Sequence, residues 1–303
     1  MNFNFGDVLT RAGQITWKYK ILWVSGIVIS ILGLLSLPIS LLFNDPMSFM
    51  TTDPAEMNQR MGSIWLANGL IFLLSIASIP AYIIGMSVPS LATRRAEYGE
   101  GSLAFGDLVR DSLSYFWRVL GVYLLVYVGI FVFMVAFMAC LAALSIVTMG
   151  FGFLCAFPLL FLFIPIGILV FSLMETGMSA VIVDNLGVMD ALKRAWELVK
   201  KNLGAMALIS ILMYLLSLVV GMVISLPMMV PMFGFIANMG AEPDFESFGR
   251  IFRNMSLWAL AFSPIYAVLQ GILWTFMQSA WTLTYMRLTK PQGTSQPATE
   301  ANA

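Results

Sequence analysis

"DALKRAWELVKKNLG" (190–204) is the most charged stretch of a chain that is otherwise mostly apolar. It is too short and too charged to cross a bilayer, yet it lies between two long apolar runs. Its apolar residues recur at helical spacing, so it reads as an amphipathic helix. Two other stretches share its pattern. "FGDVLTRAGQITWKYK" (5–20) and "FGDLVRDSLSYFWRVL" (105–120) align without gaps with "VMDALKRAWELVKKNL" (188–203). Asp7, Asp107 and Asp190 fall in register, as do the small residues Ala12, Ser112 and Ala195 and the basic residues Lys18, Arg118 and Lys201. The aspartate is expected to cap the exposed N–H groups at each helix start. The basic residue complements the negative end of the helix dipole.

Apolar pairs of segments follow each of these helices. Of the 303 residues, 60% are apolar and 11% charged, against about 25% charged in a soluble domain. Six runs are long enough to span, at about 21–43, 64–92, 119–146, 152–174, 203–233 and 254–286. The fold class is therefore all-α: a polytopic membrane protein with six transmembrane helices and three interfacial amphipathic helices, arranged as a three-fold helix-plus-hairpin repeat. Residues 1–290 form one membrane domain with repeat units of about 5–92, 105–174 and 188–286. Residues 291–303 form a polar tail expected to be disordered. The first apolar run follows a charged lead with no small-residue cleavage site behind it, so it reads as a retained helix. Prolines within the spans are expected to kink them.

Charge sets the orientation. Thirteen of the 16 basic residues fall in the N-terminal segment, 93–118, 175–202 and the C-terminal tail; only Arg60, Arg250 and Arg253 fall on the opposite side. This bias places both termini in the cytoplasm of a multi-pass cell-membrane protein. The three outward connections are then 44–63, a tight turn at "TMGFG" (148–152), and 234–254.

The same composition excludes several chemistries. There is no histidine, which removes imidazole zinc sites and histidine-assisted nucleophiles, and no cofactor or metal is expected. Basic and acidic residues balance at 16 each, which argues against a nucleic-acid partner. Cys140 and Cys155 lie in apolar runs and read as packing residues. Ala136, Ala139, Cys140 and Ala143 form small-residue pairs suited to close helix approach. No Lys, Arg, Asp or Glu falls near the middle of an expected span. Glu175 comes nearest, at the end of the fourth, where it is expected to face water, with a ligand role as the alternative. Asn68, Tyr82, Gln270 and Gln278 join Glu175 as candidates for a polar cavity, although such groups most often bond across helices. Lys18, Arg118, Lys193, Arg194, Lys200 and Lys201 are candidate contacts for anionic lipid headgroups, the partner expected at the cytoplasmic face.

"SAVIVDNLGVMDALKRAWELVKKNLGAMAL" (179–208) resembles polytopic membrane proteins described as glycerophosphoryl diester phosphodiesterase membrane domains or as domains of unknown function. "FGDVLTRAGQITWKYKILWVSGI" (5–27) and "QSAWTLTYMRL" (278–288) resemble the same proteins at their leading helix and their last exit from the bilayer. In some of these proteins the module is fused to a soluble phosphodiesterase barrel. Nothing in this chain encodes that barrel, and its catalytic histidines have no counterpart here. The resemblance therefore implies a membrane module without catalysis, of scaffold, binding or envelope-associated role. A transporter or channel for a neutral or lipid-like solute and a lipid-modifying enzyme using Glu175, Asp184 or Asp190 are the alternatives.

Overall fold

Pro38 illustrates how local chemistry shapes the chain. It has no N–H to offer the carbonyl of Leu34, and helix α2 (Trp23–Leu34) ends there before α3 (Ser36–Phe43) resumes the same apolar run. The computed structural model describes residues 4–43, 54–99, 103–148, 161, 163–230, 233 and 245–289. Among these, every regular element is helical: α1 (Phe5–Lys18), α2, α3, α4 (Pro54–Tyr98), α5 (Phe105–Val147), α6 (Phe163–Asp184), α7 (Val188–Lys201), α8 (Leu203–Ser225) and α9 (Phe245–Thr289).

Six segments among the described residues are long and apolar enough to cross a membrane: Lys20–Ser40, Met61–Tyr98, Phe105–Val147, Phe163–Asp184, Leu203–Ser225 and Ser256–Thr289. The protein is thus all-helical and polytopic. Pro80 and Pro264 lie inside unbroken helices.

Three boundaries differ from expectation. The fourth span runs on to Asp184 rather than ending at 174, while most of the expected stretch 152–162 lies outside the described residues. "MSAVIV" (178–183) is as apolar as the run before it, so the helix continues straight through Glu175. The connections expected at 44–63 and 234–254 are shorter, because α4 begins at Pro54 and α9 at Phe245. The second amphipathic stretch is not a separate helix. Residues 105–118 are the first turns of α5, a 43-residue helix of roughly 64 Å at 1.5 Å per residue. By contrast α1 stops at Lys18 before a short 3-10 turn, and α7 stops at Lys201, where Asn202 leaves helical geometry. Arg118 is followed directly by "VLGVYLLVY", which offers no such stop. Residues 149–152 of the turn expected at 148–152, Cys155 and the tail 291–303 lie outside the described residues.

The chain divides into two units. One comprises Met1–Lys18, Ser87–Tyr214 and Met277–Ala303; the other Tyr19–Met86 and Leu215–Phe276. The second unit contains a close helix crossing. A Cβ on Gly26 would stand 2.7 Å from Gly271 Cα, and one on Gly271 would stand 2.9 Å from the Ile27 nitrogen, so only glycine fits at either position. Thr275 Oγ1 donates to the Leu22 carbonyl at 3.1 Å beside this crossing.

The first unit is built on α6. Residues Met174 to Val183 are all buried, and α6 packs against α5 and α7. Gly177 permits this: a Cβ there would meet Val122 Cγ1 at 3.0 Å and Ala195 Cβ at 3.9 Å. On the short helices the buried residues are Val8, Ala12, Ile15 and Thr16 of α1, and Ala191, Ala195, Leu198 and Val199 of α7. Leu108 and Ser112 are buried at the matching positions of α5. Trp17, Trp117 and Trp196 are exposed. Ala136, Ala139, Cys140 and Ala143 of α5 are exposed as well, so they do not mediate a helix approach among the described residues.

Candidate functional site

Within the first unit, charged and hydroxyl side chains tie three helix ends together. The ends belong to α4 (Ser87–Tyr98), α6 and α9 (Met277–Thr289). Each pair of ends is bridged by one flanking segment. Asp7 and Arg11 of α1 join the first pair: Arg11 Nε lies 2.6 Å from Glu97 of α4, and Arg287 of α9 lies 3.5 Å from Asp7 and 3.6 Å from Glu97. The first turns of α5 join the second pair. Asp111 pairs with Arg95 of α4, while Arg118 donates to the Asn185 side-chain oxygen at 2.8 Å and its carbonyl at 3.1 Å, just past the end of α6. Helix α7 joins the third. It packs along α6, and Arg194 bonds to Tyr285 of α9, whose hydroxyl donates to Asp184. Arg94 also reaches directly from α4 to the Ile182 carbonyl of α6 at 2.9 Å.

Local chemistry explains two of these placements. Asn185 has φ +57°, a left-handed conformation that asparagine tolerates better than most residues, and it turns the chain from α6 into α7. The aspartates do not cap their helices as expected. Asn4 caps α1, accepting from the Asp7 N–H at 3.3 Å, and neither Ala104 nor Gly187 supplies a side-chain cap to α5 or α7. Asp7, Asp107 and Asp190 each sit at the third helical residue, where their charge still complements the positive end of the dipole.

Below these ends lies a carboxyl–amide pair. Glu175 is 4% exposed and Gln278 is 2% exposed, and the Gln278 amide lies beside the Glu175 carboxyl. The expectation that Glu175 faces water is therefore wrong. It lies nine residues before Asp184, roughly 14 Å of helical rise, which is close to half of a hydrocarbon core about 30 Å thick. The pair retains unused bonding capacity at Glu175 Oε2 and Gln278 Oε1. Thr176, Ser179 and Ser279 nearby in sequence also have buried hydroxyls without a partner.

The other expected cavity residues are not gathered here. Asn68 is exposed and bonds to its own helix at the Ile64 carbonyl, 2.8 Å. Tyr82 packs against Trp274 with ring centroids 5.8 Å apart, and both it and the half-buried Gln270 belong to the second unit. Of the residues proposed for headgroups, Arg118 is engaged with Asn185 and lies 5.1 Å from the centroid of Tyr115, and Arg194 is engaged with Tyr285. Lys18, Lys193, Lys200 and Lys201 are exposed. Sequence reading missed the clamp of Arg94, Arg95 and Glu97, although "TRRAEYGE" (93–100) carried the signal: a charged cluster where a span ends.

No group of histidine, cysteine or acidic side chains suited to holding a metal occurs among the described residues. No curated protein and no solved structure matches the chain. One family model does match, over residues 21–288, and it carries no phosphodiesterase designation. The chain therefore belongs to the family described as a domain of unknown function, DUF7847.

Proposed function

We propose that the protein is a non-catalytic, multi-pass module of the cell membrane that holds lipid or a protein partner at its cytoplasmic face. One observation carries this reading. The ionisable side chains of the clamped end are spent on joining helix ends, one bridge to each pair, and on exposed lysines, which is the design of a platform. In the same reading the three bridging segments are copies of one unit, each with an aspartate at its third residue and a small buried residue five positions on. Their exposed tryptophans and lysines rest at the headgroup level of the inner leaflet. The bias of basic residues toward these segments supports cytoplasmic termini. The resemblance of residues 179–208 to phosphodiesterase-associated membrane modules agrees with a module that serves other activities without performing them.

Topology and activity test the proposal together. A single cysteine placed at Leu113, which is exposed, should react with an impermeant maleimide only from the cytoplasmic side. Proteoliposomes should show no turnover of phospholipid headgroups. Labelling from outside the cell, or turnover abolished by Asp190→Asn, would overturn it.

A second reading rests on the Glu175–Gln278 pair. Ionisable residues at membrane depth usually mark a solute or proton path, so a carrier for a small solute is the competing function. A solute flux in proteoliposomes that Glu175→Gln abolishes without loss of folded protein would establish it.

A further inference from the structure

A groove of about 790 Å³ runs down the first unit between α5 and α6 and is roofed by α7. Its walls are apolar. They extend along α5 from Leu125 to Met134, nine residues or roughly 14 Å, which is the depth of one leaflet's hydrocarbon layer. At the deep end the rings of Phe133, Phe137 and Phe163 pack together, with Phe137 and Phe163 centroids 4.9 Å apart. At the shallow end stand Lys193 and Trp196 of α7.

Two glycines make the groove. Gly129 and Gly167 line it from opposing helices, and a Cβ on either would meet nothing within 4 Å. Glycine inside a helix is less favourable than alanine. Where two helix backbones touch, as at Gly26 and Gly271, close packing compensates for that cost. Here there is no such contact. What the glycines leave is open space along the groove.

A second recess, of about 390 Å³, adjoins the groove at α7. Five of its six lining residues are charged, Asp184, Asp190, Lys193, Arg194 and Glu197, and the sixth is Leu186. The helical register connects the two. Leu192, Lys193 and Trp196 face the groove, while Asp190, Lys193, Arg194 and Glu197 face the recess, so Lys193 stands on the ridge between them. Its stem covers apolar wall and its ammonium reaches the rim. Among the described residues Lys193, Asp190 and Glu197 form no ion pair.

We propose that the groove and recess together bind one phospholipid bearing a primary amine. An acyl chain lies over Gly129 and Gly167, the phosphate meets Lys193, and the headgroup ammonium enters the recess toward Asp190 and Glu197. Charge complementarity selects this occupant. The recess holds more carboxylates than cations, which disfavours a purely anionic headgroup. A primary ammonium can also donate three hydrogen bonds to carboxylates, whereas a quaternary amine donates none. The site deepens the lipid-holding function proposed above and rests on the seating of α7 at the bilayer surface.

The experiment uses the full chain in vesicles of equal parts phosphatidylethanolamine, phosphatidylglycerol and phosphatidylcholine. A benzophenone side chain replaces Ile166 in the groove, or the exposed Val219 of α8 as a reference, and lipid adducts are identified by mass. Phosphatidylethanolamine should be enriched at position 166 over position 219 by about fivefold or more, the factor that one headgroup contact of about 1 kcal/mol provides. Asp190→Asn with Glu197→Gln should return the ratio to that at position 219. Gly129→Leu should lower total adducts at position 166. Equal ratios at the two positions, enrichment of phosphatidylglycerol instead, or enrichment that survives the Asp190/Glu197 change would each overturn the site. A benzophenone at Trp117 reports surface seating independently. Absence of any lipid adduct there would refute the seating, and with it the broader reading, whereas adducts there with equal ratios at positions 166 and 219 would refute the groove alone.

Discussion

Replacing Glu175 with alanine removes a carboxyl group placed deep in a span and leaves the Gln278 amide without that neighbour. An orphaned buried amide costs about 1–3 kcal/mol. The truncated side chain also leaves a partly collapsed cavity, since Glu175 is only 4% exposed, and such truncations cost about 2 kcal/mol or more. Together these predict a loss of about 3–4 kcal/mol. Gln278→Ala should cost a comparable amount. The double variant should cost less than the sum, by about 0.6–1.7 kcal/mol, the measured range for hydrogen bonds between membrane helices. Glu175→Gln keeps shape and bonding capacity and should fall within about 1 kcal/mol of the natural protein. The assay is reversible unfolding in mixed micelles at rising sodium dodecyl sulfate fraction, followed by circular dichroism. If the single losses add to within about 0.5 kcal/mol, the two side chains do not interact and the paired site is refuted.

The glycine crossing gives a prediction of opposite signs. Gly26→Ala drives its new methyl into Gly271 and should destabilise by about 1–3 kcal/mol, whereas Gly33→Ala, with nothing within 4 Å, should be neutral or stabilising by up to about 1 kcal/mol; thermal unfolding in detergent compares them. Asn185→Val forces a branched residue into a left-handed turn and should cost about 1–2 kcal/mol, while Asn185→Gly should be nearly neutral by the same measurement. Arg287→Ala breaks two partly exposed ion pairs and should cost no more than about 1 kcal/mol. Arg287→Glu, facing Asp7 and Glu97, should cost more than Arg287→Ala, and the difference should shrink as salt rises from 0.05 to roughly 0.5 M.

The parts of this fold that hydropathy and helical period govern were legible in the residues. The six spans follow from apolar length, and the buried faces of 5–18 and 188–201 follow from the spacing of Val8, Ala12 and Ile15 and of Ala191, Ala195 and Leu198. What failed was anything set by a choice between equally apolar alternatives. "MSAVIV" (178–183) is as oily as the run before Glu175, and the end expected at 174 falls ten residues short of the observed Asp184 because a lone glutamate reads as a boundary. The burial of Glu175 depends on Gln278, 103 positions away, which no local pattern records. The continuity of α5 was missed for a related reason: periodicity identifies an amphipathic face but not whether the helix stops after it. The exposure of Asn68 beside the burial of Gln278 shows the same limit, because two amides in apolar helices look alike until their neighbours are known.

The bond between Asp7 and Arg287 gives the ring of helix ends a clasp. Its two halves lie 280 positions apart (287 − 7), so translation supplies them at well-separated times. Glu97 already has Arg11 as a partner, but Asp7 lacks this one until residue 287 has been translated. A nascent chain that has not reached residue 287 therefore lacks the salt bridge that joins α1 to α9.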